Sequence, residues 1–123
     1  MPVRPANMSV APMSDRMVPA YGGAKAAVRN FIRAWIQDIK GSGIRMNVLS
    51  PGAVDTESLR HALGMAQGAD QVDPAIKAMG EGNPTGRIAD PREMGKAAVF
   101  LSSDASSFIT GVELFADGGM AQV

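Results

Sequence analysis

The chain has 123 residues, enough for one ordinary domain and too few for two. Hydrophobic residues make up 46% and charged residues 20%, which excludes a disordered or fibrous chain, and 12 basic side chains balance 12 acidic ones, so no bulk charge draws it to nucleic acid or acidic lipid. Cysteine is absent, which excludes disulfides, thiolate metal sites and a cysteine nucleophile and accords with a reducing cytoplasm.

The opening stretch, MPVRPANMSVAPMSDRMVPA, holds no apolar run of signal-peptide length. Nowhere does the chain approach the about 20 apolar residues that span a bilayer. The expectation is a cytoplasmic, soluble chain with neither a membrane nor a nucleic acid as partner. No internal repeat or low-complexity tract stands out.

In chain order, the first predicted element is a long amphipathic helix over residues 21–40. Ala24, Ala27, Val28, Phe31, Ile32, Trp35, Ile36 and Ile39 recur at helical spacing, with Lys25, Arg29, Arg33, Gln37 and Lys40 largely between them. Gly41-Ser42-Gly43 should stop it, because glycine accepts the left-handed backbone of a helix end. IRMNVLS, residues 44–50, reads as a strand closed by Pro51-Gly52. Residues 56–83 carry glycines, one histidine and a weak helical pattern; a segment of that kind is often a lid or substrate loop. Asp90, Pro91 and Glu93 predict an N-cap, a first helical residue and a capping box for a helix reaching Ser102. VELFAD, residues 112–117, is a last strand before Gly118-Gly119. Helix, strand, helix, strand implies α/β packing around a parallel sheet.

The residues with chemistry to offer begin at Tyr21 and Lys25, in AYGGAKAAVRNF. Four residues of helix advance about 6 Å and leave two side chains on nearly one face. A free phenol titrates near about 10. An ammonium about 4 Å away, at an effective dielectric near 20, would favour phenolate by roughly 4 kcal/mol, around three pKa units. That brings the phenol towards a useful acid–base range. The same spacing also suits a packed ring beside a solvated charge. Gly22, Gly23 and Ala24 keep bulk away from Tyr21, as close approach of a ligand would require, and the two glycines weaken the helix there. Pro51-Gly52 is on its own a strand terminator, and Thr56 could simply cap the next segment. His61 is the single histidine, which excludes a multi-histidine metal site and makes an exposed loop position its default. Asp15, Asp55 and Glu57 show no pairing that argues for carboxylate catalysis, and no metal site is expected. The scattered methionines read as gap-filling residues.

Taken together, YGGAKAAVRNF, then GIRMNVLSPGAVDT, then GNPTGRIADPREMGKAAVFLSSDASSFITGVELFADGG resemble the C-terminal half of a short-chain dehydrogenase/reductase, from about Ser9 to Gly119. The specificity lies in several short motifs standing in the right order and spacing. The resemblance implies a partial Rossmann-like fold, a doubly wound parallel α/β sheet, with residues 1–123 as one partial domain. It implies an oxidoreductase moving hydride between NAD or NADP and a small alcohol or carbonyl substrate. Tyr21 would exchange the proton and Lys25 would tune it and bond the nicotinamide ribose. Pro51 and Gly52 would lie against the nicotinamide, with the Val54 backbone and the Thr56 hydroxyl on its carboxamide.

The family also places a serine on the substrate carbonyl. Its usual position falls on Met8; Ser9, one residue on, is the candidate, with Ser14 the alternative. The glycine-rich turn that cradles the pyrophosphate has no counterpart here, since Gly41-Ser42-Gly43 follows a helix and precedes a strand. The residue that selects between NAD and NADP and the family's active-site asparagine belong to that same first half. A truncated product or a misplaced start at Met1 is therefore expected. Truncation would leave Phe31, Trp35 and Ile36 with unusual apolar exposure and favour association. By resemblance the intact protein is a homo-oligomer, a dimer or tetramer; Phe100, Phe108 and Phe115 would serve those contacts or be plain core. The alternative is a non-catalytic remnant that associates only with itself or with full-length relatives.

Overall fold

The computed structural model describes residues 17–122. Helix α1 runs Met17–Asp38, beginning ahead of Tyr21 and ending just short of Lys40. Gly41 and Gly43 then take φ of +80° and +74°, the left-handed backbone expected of the GSG stop. Strand β1, Val48–Pro51, and strand β2, Glu113–Ala116, pair in parallel with Val48 opposite Glu113 and Pro51 opposite Ala116. The ladder gains a bond at each end, Val48 N–H to Val112 O at 2.9 Å and Gly52 N–H to Ala116 O at 3.1 Å.

Both strands are shorter than their apolar runs suggested, and residues 44–47 show why. Met46 N–H donates to the Thr110 hydroxyl at 3.2 Å, while the Asn47 amide donates to Ile109 O at 3.1 Å and accepts from Val112 N–H at 3.2 Å. Side chains here interrupt the backbone ladder, which keeps the bond from Gly111 N–H to Met46 O at 2.7 Å. Arg45 goes further. Its Nη1 donates to the carbonyls of Leu101 and Ser106, both at 2.9 Å, and to the Ser106 hydroxyl at 2.8 Å, while Nη2 reaches Ser103 O at 3.1 Å. A cation thus occupies the negative end of the last helix and satisfies its orphan carbonyls.

Between the strands lie α2, Glu57–Gln67, α3, Val72–Glu81, and α4, Pro91–Ser102. The segment expected to be a lid or loop, 56–83, is therefore mostly helical, bent at Gly68 (φ +99°) through a short 3-10 turn. Helix α4 starts as the DPRE motif predicts. Arg92 N–H donates to Asp90 Oδ1 at 2.8 Å, and Asp90 N–H donates to Glu93 Oε2 at 2.9 Å. It lies against β1.

Apolar burial is sparse. Among the described residues Leu63, 5% exposed, is the buried hydrophobic side chain, and Asn83 and Ser106 are the buried polar ones. Phe100, Phe108 and Phe115 are all exposed, Phe108 at 102%, so they are not plain core. On α1, Val28, Phe31 and Trp35 are about half exposed, and the Phe31 and Trp35 rings stack with centroids 5.5 Å apart. Ile36 instead turns inward against Gly111, where a side chain would have no room.

Candidate functional site

The backbone of α1 carries Tyr21 and Lys25 one turn apart near its N-terminal end. Lys25 is exposed. The Tyr21 side chain, and Ser9 with its alternative Ser14, lie outside the described residues. One turn beyond Lys25, Arg29 Nη1 reaches Glu113 Oε1 at 3.1 Å. That same Glu113 oxygen accepts the Ser50 hydroxyl at 2.7 Å. Glu113 thus joins the Tyr21–Lys25 helix to the end of β1 that leads into the Pro51–Gly52 turn. The sequence reading missed it; the signal available was one acid inside an otherwise apolar strand.

Pro51, Gly52, Val54 and Thr56 form one continuous loop at the C-terminal end of β1, the end at which open α/β sheets take their ligands. Gly52 sits so close to β2's exit that a Cβ placed on it would lie 2.6 Å from the Asp117 Cα. Beyond it a second parallel bridge pairs Val54 with Ala89: Ala89 N–H donates to Ala53 O, and Asp55 N–H to Ala89 O, both at 2.9 Å. Because parallel pairing uses the neighbours' groups on that side, the N–H and C=O of Val54 itself face the opposite way.

Thr56 is the N-cap of α2, its hydroxyl accepting from Leu59 N–H at 3.1 Å. The plain capping role is real, and the hydroxyl still has its own proton to give. His61 is exposed as expected, though on α2 rather than in a loop.

Charge near this loop is concentrated in one cluster. Arg60 grips Asp55 with two bonds, Nε to Oδ1 at 2.6 Å and Nη2 to Oδ2 at 2.8 Å, and reaches Asp73 Oδ1 with Nη1 at 2.9 Å. The hydrogen bond from Arg60 holds the Asp55 carboxyl below its usual range, and the hydrogen bonds to Asp55 and then Asp73 raise the Arg60 guanidinium. On the far side, the Asn83 amide donates to Asp117 O at 2.8 Å and its Oδ1 accepts from Thr85 N–H at 2.9 Å. Asn83 thereby fastens the segment after α3 to the end of β2.

A cleft of 690 Å³, lined in part by Ile36, Ile39, Lys40, Ile44, Arg45 and Asp104, opens elsewhere, at the N-terminal approach to β1. It shares no residue with the loop at 51–56. Among the described residues no group of three or more histidine, cysteine, aspartate or glutamate side chains is placed to hold a metal ion, and no helix is long and apolar enough to cross a membrane.

Against known proteins, residues 7–121 match the family model described as enoyl-(acyl carrier protein) reductase. The chain is 42% identical over 103 residues to oxidoreductase asL5 of Sarocladium schorii, covering 84% of this chain and 38% of that protein. It is 38% identical over 116 residues to 2-keto-3-deoxy-L-fuconate dehydrogenase of Xanthomonas campestris pv. campestris, covering 92% of this chain and again 38% of the relative. Among solved structures, a C-terminal deletion mutant of Thermoplasma acidophilum aldohexose dehydrogenase superposes with a TM-score of 0.80 at 33% identity, over 85% of this chain and 46% of that one. The chain belongs to the short-chain dehydrogenase/reductase family, with the α/β arrangement of a partial Rossmann-like fold. It spans less than half the length of these relatives.

Proposed function

We propose that this chain is the C-terminal catalytic part, residues 1–123 forming one partial domain, of an oxidoreductase that interconverts an alcohol and a carbonyl on a small molecule with NAD or NADP. The observation that carries this reading is the loop leaving β1. It turns the Val54 N–H and C=O away from Ala89, two residues ahead of the Thr56 hydroxyl, at the C-terminal end of β1, the end at which open α/β sheets take their ligands. That donor and acceptor set suits a planar carboxamide, so Pro51, Gly52, Val54 and Thr56 are the residues to hold a nicotinamide.

The coenzyme, when bound, supplies or accepts the hydride. Tyr21 holds the exchangeable proton at its phenol oxygen and gives it to, or takes it from, the substrate oxygen. Lys25, one turn along α1, lowers the phenol's pKa by its charge. Ser9 accepts the role of orienting the carbonyl by a hydrogen bond. The names of the fuconate and aldohexose relatives support a small hydroxyl- and carbonyl-bearing substrate.

Calorimetric titration of the purified chain with NADH and with NADPH tests the reading. Binding of either, weakened about tenfold by Lys25→Met as the loss of one charged hydrogen bond entails, supports it. No heat at millimolar coenzyme overturns it for this chain.

A second reading has its own observation. The exposed Val28, Phe31 and Trp35 stripe on α1 favours a non-catalytic remnant that associates with itself or with full-length relatives. Sedimentation of the chain alone and mixed with a full-length relative separates the two. A monomer that ignores the relative speaks against the remnant.

A further inference from the structure

We propose that Arg60 is a positioning residue: by gripping Asp55 and Asp73 together it fixes loop 53–56 against α2 and α3, and so fixes the direction in which Val54 presents its backbone. The purpose of this clamp, though not its geometry, rests on the coenzyme reading above.

Isolated surface ion pairs contribute little, because two long side chains must be ordered in a screened medium. Arg60 differs in geometry. Its planar fork meets Asp55 through two parallel bonds of 2.6 and 2.8 Å, the arrangement in which guanidinium and carboxylate match edge to edge. Its remaining arm reaches Asp73 in the first turn of α3 at 2.9 Å.

Arg60 is itself anchored. Its N–H donates to Thr56 O at 3.0 Å, in the first turn of the helix that Thr56 caps. The guanidinium therefore reaches back from a fixed helix onto the residue just before that helix. Asp55 is held at both of its polar ends, the carboxylate by Arg60 and the N–H by Ala89 O at 2.9 Å. Val54 lies between this fixed peptide and the Ala53 carbonyl, which Ala89 N–H also holds. Its own N–H and C=O are left one direction.

The Asp73 arm adds α3 to the same clamp, and the Asn83 bond to Asp117 O pins the far end of the segment. α2 and the segment after α3 are thus each held by side-chain bonds, the one to Asp55 and Asp73 and the other to Asp117 O.

Amide hydrogen exchange on the full chain tests this through a double-mutant cycle of Asp55→Asn, Arg60→Gln and both together. The amides of Asp55 and Ala89 report on the clamp, and those of the β1–β2 ladder serve as reference. Each single substitution is expected to speed exchange at Asp55 and Ala89 about fivefold, with the double variant no faster than either single and the ladder unmoved. Arg60→Lys, which keeps the charge but loses the fork, should recover only part of the protection. Unchanged exchange at the two reporters, effects that multiply in the double variant, or equal loosening of the ladder would overturn the clamp.

NADH titration of the same variants reads its purpose. A parallel fall in affinity of about fivefold supports positioning, and unchanged affinity in a variant whose loop exchanges faster overturns it. Failure of the unsubstituted chain to bind NADH would instead remove the coenzyme reading, leaving the exchange cycle to decide the clamp alone.

Discussion

Helix α1 and the segment from Ile44 to Gln122 are held in opposite ways. α1 is the longest element, 22 residues, yet its described side chains up to Phe31 are all exposed. The segment after it has four-residue strands and short helices, fastened by several polar side chains whose partners lie both near and far in sequence; α1 is tied to it through Arg29 and Glu113. Arg45 ties the end of α4, Asn47 ties the approach to β2, Asn83 ties β2's exit, and Arg60 ties α2 to its own loop and to α3. With Leu63 the buried hydrophobic among the described residues, these bonds carry positional precision that apolar burial would supply in a deeper core. A helix can form on its local pattern; its place depends on what it touches.

The contrast breaks most sharply at Gly52. Its missing side chain lets β1's exit touch β2's exit backbone to backbone, and an added Cβ would meet Asp117 at 2.6 Å from Cα and 2.8 Å from Cβ. Backbone cannot give way as a flexible side chain can. Gly52→Ala should therefore cost about 3 kcal/mol of stability, an overpacking loss at the strong end of the usual range. Urea unfolding measures it. A loss below about 0.5 kcal/mol would mean that the two strand ends are not in backbone contact.

Glu113 marks the joint between the two regions and should give a smaller, more local effect. Its carboxylate accepts from Arg29 of α1 at 3.1 Å and from Ser50 of β1 at 2.7 Å. Glu113→Ala removes charge-assisted bonds of which one partner, Arg29, is well exposed, so about 1.5 kcal/mol is expected rather than the larger loss of a buried pair. Hydrogen exchange should rise along α1 while the α2 to α4 amides keep their protection. Equal loosening of both regions would erase the comparison.

How much of this was legible beforehand follows the same division. The α4 start was readable because a capping box is local: Asp90, Pro91 and Glu93 act within one turn. The Tyr21–Lys25 spacing was readable for the same reason, and so was the Thr56 cap. Strand lengths were not, because residues 44–47 spend their polar groups on partners near Thr110, far along the chain. The helices within 56–83 were faint because their placement depends on Arg60 and Asn83 meeting groups that only the fold brings near. Apolar spacing predicted the face of α1 but says nothing of what covers it. Phe100, Phe108 and Phe115 were open between core and contact surface for that reason, and all three proved exposed.

The smallest expected effect comes from acid, and it sharpens the comparison because the perturbed carboxylates all lie in the anchored region. Arg87 grips Glu93 with two bonds of 2.8 Å, and with the Asp90 N–H it pulls the Glu93 carboxyl down to about 2 from its usual 4.5. Asp90 is held below its usual range by Arg92, and Asp55 by Arg60. A carboxyl whose folded pKa is depressed binds its proton more readily in the unfolded chain. Its stabilising contribution is therefore complete above the unfolded value and is lost as pH falls from about 4.5 towards about 2. All three groups are partly exposed, so the loss should be gentle and partly screened by salt. Amide exchange followed from pH 5 downward, corrected for intrinsic rates, should loosen first at Asp90, Arg92 and Asp55, about the acidic onset of this window. Glu93→Gln should flatten that acid response at the start of α4 while leaving the response at Asp55 in place, since the two carboxylates answer to different arginines.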